Sequence, residues 1–129
     1  MFDPPVALDG VQRHHVKIND DGKEHMMPYL AAAVLQMERW LVAGENVLVH
    51  CSSGISRSST VVLAYLIVAQ GWPLAKAYQE TRAARPCIQP GTLFFAELQQ
   101  LEMGGNGGVH APSMSFSQYY GYTVQSIKP

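Results

Sequence analysis

The feature that most constrains the fold is a polar segment between two apolar ones near the middle of the chain. Residues 46–50 (Asn-Val-Leu-Val-His) are short, apolar and β-branched, which predicts a buried strand of a parallel sheet. Residues 51–58 are polar and contain a glycine. Residues 59–70 are apolar nearly all round, which predicts a central buried helix directly after the polar segment.

Further helices are predicted on both sides of this centre. One begins at Pro28 and ends before Gly44, and another begins at Pro73 and ends before Pro86. A last helix covers residues 92–102. The apolar faces of these helices are formed by Leu30, Val34, Met37 and Leu41, by Leu74, Ala77, Tyr78 and Thr81, and by Phe94, Leu98 and Leu101.

A second short strand is predicted at residues 14–18, ahead of a turn-forming cluster of Asn, Asp and Gly. The order of strands and helices predicts an α/β fold. Because two strands do not make a stable sheet core, either the chain lacks N-terminal strands or residues 2–11 supply one. Residues 1–102 are predicted to form the single domain, and residues 103–129, which are poor in aliphatic side chains, a flexible tail.

Charge and hydropathy narrow the classes of partner. The formal net charge of -1 provides no positive field for nucleic acid or a membrane surface. The longest apolar run, residues 61–69, is too short to span a bilayer, and no secretory leader opens the chain. With 2 cysteines there is no disulfide framework, which predicts a reducing compartment, cytoplasmic or nuclear. The oligomeric state stays open.

The polar segment predicts an anion site. Its residues 51–56, here called the cradle loop, can point consecutive backbone N–H groups into one cradle in front of a helix N-terminus. Gly54 lets the loop curve without steric cost. The same field lowers the pKa of Cys51 and makes its sulfur nucleophilic near neutral pH. The predicted anion-binding residues of the loop are Ser52, Ser53, Gly54, Ile55 and Ser56.

Two residues after the loop complete the predicted chemistry. Arg57 comes round to the far side of the cradle, where its planar fork can bind two phosphoryl oxygens at once. Ser58 can donate a hydrogen bond to the cysteine sulfur when that sulfur leaves. Together these groups suit in-line attack on a phosphomonoester, followed by hydrolysis of a thiophosphate.

The pattern His-Cys-x-x-Gly-x-x-Arg-Ser at residues 50–58 resembles the signature of the protein tyrosine phosphatase superfamily. Residues 47–66 look like its dual-specificity branch, and the resemblance covers about residues 11–102. It implies a central, mostly parallel sheet flanked by helices, here short of N-terminal strands. It also implies a phosphoprotein substrate carrying phosphotyrosine, phosphoserine or phosphothreonine, with neither cofactor nor metal.

The resemblance further implies a general acid, an aspartate about thirty residues before the cysteine. Asp20 matches it better than Asp21, because residues 18–20 (Ile-Asn-Asp) resemble the end of the corresponding strand. The family commonly has Pro-Asn ahead of the last helix, and this Asn is tied to holding the loop. Here Gly91 takes its place, so support of the cradle loop is where this sequence departs from the pattern.

Several of these residues also have plain structural interpretations. Ser58 is almost equally well explained as a polar residue of the helix's first turn. His50 is interpreted as a structural histidine that orients the loop, and Asp20 or Asp21 could simply make a turn. Alone, Cys51 would be a buried structural thiol, an interpretation that the neighbouring glycine and arginine oppose.

Other chemically able side chains are given structural roles. Cys87 is predicted to be a small core residue, the alternative being a resolving partner for oxidised Cys51. Arg82 and Arg85 are predicted to form a solvated helix end, the alternative being recognition of a second phosphate. The three tyrosines Tyr119, Tyr120 and Tyr122 are assigned to the polar tail, with phosphorylation or partner binding as the alternative. The histidines lack metal-ligand spacing with the cysteines.

Two other classes of function compete with a hydrolase. A catalytically weak relative could capture phosphorylated partners through the same loop. The missing strands and Gly91 favour this alternative, and the presence of Cys51, Arg57 and Asp20 opposes it. A sulfur-transfer or redox thiol protein also uses a cysteine cradle. The spacing from Cys51 to Arg57 and the presence of Ser58 speak against it.

Overall fold

The computed structural model describes residues 10–105 and 111–119. Four of the helices in these ranges are predicted from the sequence: α1 (Met27–Val42), α2 (Arg57–Val68), α3 (Leu74–Ala84) and α4 (Thr92–Gly105). Residues 116–119 are also helical. None of the helices in the described ranges is long and apolar enough to cross a membrane.

Helix α1 shows how local sequence signals set the helix limits. Proline occupies its first turn, where no intrahelical N–H partner is needed. It ends at Val42, two residues before Gly44, whose φ of 82° is a left-handed conformation that favours glycine. The face predicted to be buried is buried at Leu30, Val34 and Met37, whereas Leu41 is 40% exposed, because the last turn of the helix extends beyond the core.

Helix α2 lies at the centre of the molecule and packs against α1, α3 and α4. Its side chains Leu63, Ala64 and Ile67 are buried, as predicted for a helix that is apolar nearly all round. Because α2 is surrounded by its neighbours, its N-terminus is held at a fixed position, and this is the end that carries the cradle loop.

Helix α4 supplies buried carboxylates to the first turns of two other helices. The Glu97 carboxylate accepts hydrogen bonds from the backbone N–H groups of Met26 and Met27 at 2.9 and 2.8 Å, at the start of α1. The Glu102 carboxylate accepts one from Leu74 N–H at 2.7 Å, at the start of α3. Neither α1 nor α3 has a hydrogen-bonding cap residue of its own, so these glutamates satisfy the free amides.

Residues 111–119 pack on this helical body. Met114 and Tyr119 are each 2% exposed, and the Tyr119 ring stacks on Phe95 at a centroid distance of 4.1 Å. The predicted flexible tail is therefore wrong for residues 111–119, because few but large apolar side chains bury themselves there. Residues 106–110 and 120–129, the rest of that tail, lie outside the described residues.

The predicted sheet is not confirmed. Residues 14–18 and 46–50 are the two predicted strands, and no segment of the described ranges is a strand. A strand requires a hydrogen-bonded neighbour, and residues 46–50 make no backbone–backbone hydrogen bond within the described part of the chain. Instead, both segments line one cavity of about 960 Å³. Of the alternative strand at residues 2–11, only residues 10 and 11 are described, and they are not in a strand.

Candidate active site

The cradle loop leads directly into α2, so the sulfur of Cys51 lies at the N-terminus of a buried helix. Backbone N–H of Gly54 donates to Cys51 Sγ at 3.2 Å, and Ser58 Oγ lies 3.4 Å from the same sulfur. Gly54 has a φ of 70°, which closes the loop back on its first residue. The structure thus brings together three of the predicted residues, Cys51, Gly54 and Ser58.

This environment changes the acidity of the Cys51 thiol. Partial burial raises its pKa, but the hydroxyl of Ser58 and the backbone N–H groups of Ser58, Gly54 and Ser53 favour the thiolate and lower the pKa by more. The result is a pKa of about 7, below the ordinary 9.0. When the sulfur is a thiolate, Ser58 is the donor of their hydrogen bond. The lowered pKa makes the nucleophilic thiolate accessible near neutral pH.

Arg57, the first residue of α2, lies at the edge of the loop. Its Nη2 donates to Ser52 Oγ at 3.1 Å, and its Nη1 donates to the backbone oxygen of Ile18 at 3.4 Å. These contacts hold the guanidinium between the cradle loop and the segment that leads to the predicted acid. The planar guanidinium group is thereby oriented by Ser52 on one side and Ile18 on the other.

Arg85 contacts the loop from behind, a role that the sequence did not predict. Its Nε donates to the backbone oxygen of Gly54 at 3.0 Å and its Nη2 to that of Ser53 at 3.3 Å. A Cβ at position 54 would lie 2.9 Å from Arg85 Nη2, so a side chain there would displace the guanidinium from the loop, in addition to the strain set by the φ of 70°. Arg85 is exposed at the end of α3, as predicted, but it also donates two hydrogen bonds to loop carbonyls, which the sequence did not predict.

Two backbone amides continue this support along the loop. Gln89 N–H donates to the backbone oxygen of Ile55 at 2.8 Å, and Gly91 N–H donates to Ser56 Oγ at 2.9 Å. We call residues 85–91 the brace. Because C=O and N–H of a peptide group point in opposite directions, engaging these carbonyls with the brace leaves the loop amides facing the sulfur side.

The two aspartates before α1 differ in what they contact. The Asp21 carboxylate accepts from the N–H groups of Lys23 and Glu24 at 2.9 and 3.2 Å, and the Lys23 N–H is the main cause that lowers its pKa. It therefore makes a turn. Asp20 Oδ1 instead lies 3.0 Å from where a Cβ on Gly91 would be, close to the end of the cradle loop.

The sequence suggested that Gly91, in place of asparagine, would weaken the support of the cradle loop, but the backbone N–H of Gly91 supports the loop. The loop is supported although asparagine is missing, because the brace supplies backbone amides and Arg85. The absence of a side chain at Gly91 also leaves room for the Asp20 carboxylate beside Ser56, whose hydroxyl lies 3.6 Å from the same Cβ position.

One residue near the site does not occupy its predicted environment. Cys87 is a free, exposed thiol rather than a core residue, because the neighbouring Ile88 is the side chain that enters the core. His50 is exposed and lines the cavity beside Cys51, and its structural role in orienting the loop stays a prediction. In the described ranges, no cluster of three or more His, Cys, Asp or Glu side chains could hold a metal ion.

Comparison with known proteins places this site in a family context. Residues 5–103 match the family described as "Dual specificity phosphatase, catalytic domain". The chain is 39% identical over 99 residues to dual specificity phosphatase 28 of Homo sapiens, covering 77% of this chain and 56% of that protein. The corresponding protein of Mus musculus is 37% identical over 99 residues, covering 77% of this chain and 61% of that protein. The chain therefore spans little more than half the length of these relatives.

Solved structures give the same result for the fold. The crystal structure of human DUSP28 superposes with a TM-score of 0.66 at 37% identity, covering 67% of this chain and 59% of that chain. The crystal structure of DUSP15 has a TM-score of 0.71 at 23% identity, with 96% of this chain and 71% of that chain covered, and supports the fold alone. The resemblance predicted from residues 50–58 is thus confirmed.

Proposed function

We propose that this chain, which belongs to the dual specificity phosphatase family, hydrolyses phosphate esters on proteins through a phosphocysteine intermediate. The observation that carries the proposal is the Cys51 sulfur at the head of α2. It lies 3.2 Å from the Gly54 amide and 3.4 Å from the Ser58 hydroxyl, with a pKa of about 7. A sulfur anion that is stabilised in an anion cradle is suited to displace oxygen from phosphorus.

In the first step, the Cys51 thiolate attacks phosphorus in line with the ester oxygen. A sulfur–phosphorus bond forms while the phosphorus–oxygen bond to the substrate breaks. The Arg57 fork and the loop amides bind the non-bridging oxygens and stabilise the charge of the transition state. Asp20, which lies near the end of the loop, donates its proton to the leaving oxygen, so that the product leaves as an alcohol or phenol.

In the second step, water attacks the phosphorus of the intermediate and the sulfur–phosphorus bond breaks. The Asp20 carboxylate accepts a proton from this water, which restores the acid for the next cycle. The electron pair of the broken bond returns to Cys51, and the Ser58 hydroxyl stabilises the departing thiolate by its hydrogen bond. Inorganic phosphate then leaves the cradle.

The charge of the site favours a phosphoprotein over a polyphosphorylated lipid. Residues 51–58 contain one cationic side chain, Arg57, and no lysine. Arg85, the cation next to the loop, directs its Nε and Nη2 at loop carbonyls. We therefore propose phosphotyrosine and phosphoserine or phosphothreonine side chains as substrates. A thiolate must stay reduced to act, so the proposal includes a reducing compartment, cytoplasm or nucleus.

The test is turnover of an aryl phosphate and of phosphopeptides by the purified chain. Wild type is expected to be active, Cys51→Ser and Arg57→Met to be inactive, and Asp20→Ala to be slowed about a hundredfold. Asp21→Ala, the matched control, is expected to keep wild-type turnover. Rapid quenching should trap phosphate on Cys51, and a folded protein that never carries phosphate there would refute the proposal.

A second candidate is a module that binds phosphorylated partners without efficient turnover. It is favoured by one observation, the cavity that opens beside Cys51 where the described residues form no sheet. Wild-type protein that is inert towards aryl phosphates, yet binds phosphopeptides and loses this binding in Arg57→Met, would establish it in place of the enzyme.

A further inference from the structure

The brace is itself held by the segment 111–119. The buried hydroxyl of Tyr119 donates a hydrogen bond to the backbone oxygen of Pro90, a residue that is fully buried. The N–H of the same peptide group belongs to Gly91 and donates to Ser56 Oγ at 2.9 Å. One peptide group therefore accepts from Tyr119 on one side and donates to the cradle loop on the other.

This arrangement couples the two hydrogen bonds. A donor on the carbonyl oxygen polarises the amide, and a polarised amide is a stronger donor through its N–H. The peptide plane is also fixed, because rotating it would break both contacts together. The Tyr119 hydroxyl thus orients the peptide that holds Ser56, the last residue of the cradle loop.

The Tyr119 ring is locked in place, which makes its hydroxyl a fixed point. The ring stacks on Phe95 at 4.1 Å and 9°, and it meets Tyr78 edge-on at 5.6 Å. The segment is anchored further by Ser113, whose N–H donates to Glu102 at 2.7 Å, and by Gln99, whose amide donates to the Met114 carbonyl at 3.0 Å.

We infer that Tyr119 is a positioning residue for the cradle loop, acting through the Pro90–Gly91 peptide and Ser56. It lies outside residues 5–103, the part of the chain that matches the family. The segment 111–119 is therefore a working part of the site although it follows the matched domain. The inference rests on the proposed function, because it assigns the loop the task of binding a phosphoryl group.

The test measures how tightly the cradle binds vanadate, by competitive inhibition of aryl phosphate hydrolysis and by direct titration. Tyr119→Phe removes the hydroxyl and keeps the stacked ring. We expect vanadate affinity to fall about three- to tenfold, as for the loss of one buried hydrogen bond, and KM to rise by a similar factor with little change in kcat.

Tyr65→Phe is the matched control. Tyr65 is also a buried tyrosine, and its hydroxyl bonds to Glu38 at 2.9 Å and to Gln70 at 3.0 Å in another part of the molecule. It should lower stability as Tyr119→Phe does and leave vanadate affinity unchanged. All affinities are compared at a temperature at which urea titration shows each variant to be fully folded.

A Ser56→Ala background completes the experiment. This substitution removes the hydroxyl that accepts from Gly91 N–H, so Tyr119 can no longer act on the loop through the Pro90–Gly91 peptide. There, Tyr119→Phe should cause no further loss of vanadate affinity. Equal effects of the two tyrosine variants, or a full effect of Tyr119→Phe in Ser56→Ala, would overturn the inference while the enzyme proposal stands. Wild-type protein that neither turns over substrate nor binds vanadate would overturn both.

Discussion

The N-termini of α1 and α3 differ from that of α2 in the group that faces their free amides. At α1 and α3, that group is a buried carboxylate of α4, Glu97 or Glu102, which stays in place. At α2, it is the Cys51 thiolate, with a pKa of about 7 and an opening to the cavity. The same field of helix amides thus stabilises the fold at two ends and, at the third, stabilises the thiolate on which the proposed function depends.

The difference lies in how each end is held. The glutamates fix the ends of α1 and α3 directly by occupying their amides. At α2 the loop is held through its carbonyls instead, by Arg85 and by a backbone amide of the brace. This leaves the loop amides available to the substrate that we propose. The carbonyls of the loop bond to the brace and the amides of the loop face the Cys51 sulfur. The contacts that hold the loop are therefore separate from those proposed to act on a substrate.

The strongest way to break this comparison is to remove a glutamate. Glu97→Ala leaves the amides of Met26 and Met27 without their acceptor and should lower the free energy of unfolding by about 2–4 kcal/mol. Cys51→Ser, the counterpart at α2, should change it by less than about 1 kcal/mol while abolishing turnover. Urea titration followed by tryptophan fluorescence measures both. A stabilised Glu97→Ala protein would contradict the role of this carboxylate.

A smaller effect is expected at the brace. Arg85→Ala removes the two hydrogen bonds to the carbonyls of Ser53 and Gly54 and should lower kcat/KM about tenfold, with little change in stability because these carbonyls are reached by water. The kcat/KM of Arg85→Lys should lie between the values of wild type and Arg85→Ala, because a single ammonium group cannot replace the two donors of a guanidinium group. Arg39→Ala, an exposed arginine on α1, is the control and should match wild type. Unchanged kcat/KM in Arg85→Ala would show that the loop is held without it.

The smallest effect concerns acidity, and it sharpens the electrostatic half of the comparison. Ser58→Ala removes a donor that favours the Cys51 thiolate, so the pKa should rise above 7 by about one unit. The rate of alkylation by iodoacetamide, followed against pH in a Cys87→Ser background, should then fall below its wild-type value between about pH 6 and 8. Ser59→Ala, whose hydroxyl donates to a loop carbonyl at 2.7 Å and not to the sulfur, should leave the midpoint near 7.

What could be predicted from the sequence was local. The helices follow from the spacing of apolar residues between Pro and Gly. Cys51, Gly54 and Arg57 lie within one short segment, and their spacing alone predicts an anion-binding loop with a nucleophile. The brace could not be predicted, because Arg85 and Gly54 are 31 residues apart and Tyr119 and Pro90 are 29 apart. No spacing rule connects such pairs.

The predicted strand at residues 46–50 is not confirmed and the predicted tail is wrong for residues 111–119, because both predictions used local composition to infer non-local structure. Residues 46–50 have the side chains of a strand, but a strand also requires a neighbour with which to share hydrogen bonds. Residues 111–119 have few aliphatic side chains, yet Met114 and Tyr119 fill space between helices. In both cases the deciding partner lies elsewhere in the chain.

The bare backbone of residues 46–50 has a consequence for handling the protein. Within the described part of the chain its peptide groups have no ladder partner, and Leu48 is 84% exposed. Unpaired backbone groups beside an exposed apolar side chain are a template for aggregation with a second molecule. Because this segment runs straight into Cys51, clumping that begins there would occlude the reactive sulfur, so concentrated samples should lose specific activity in step with turbidity.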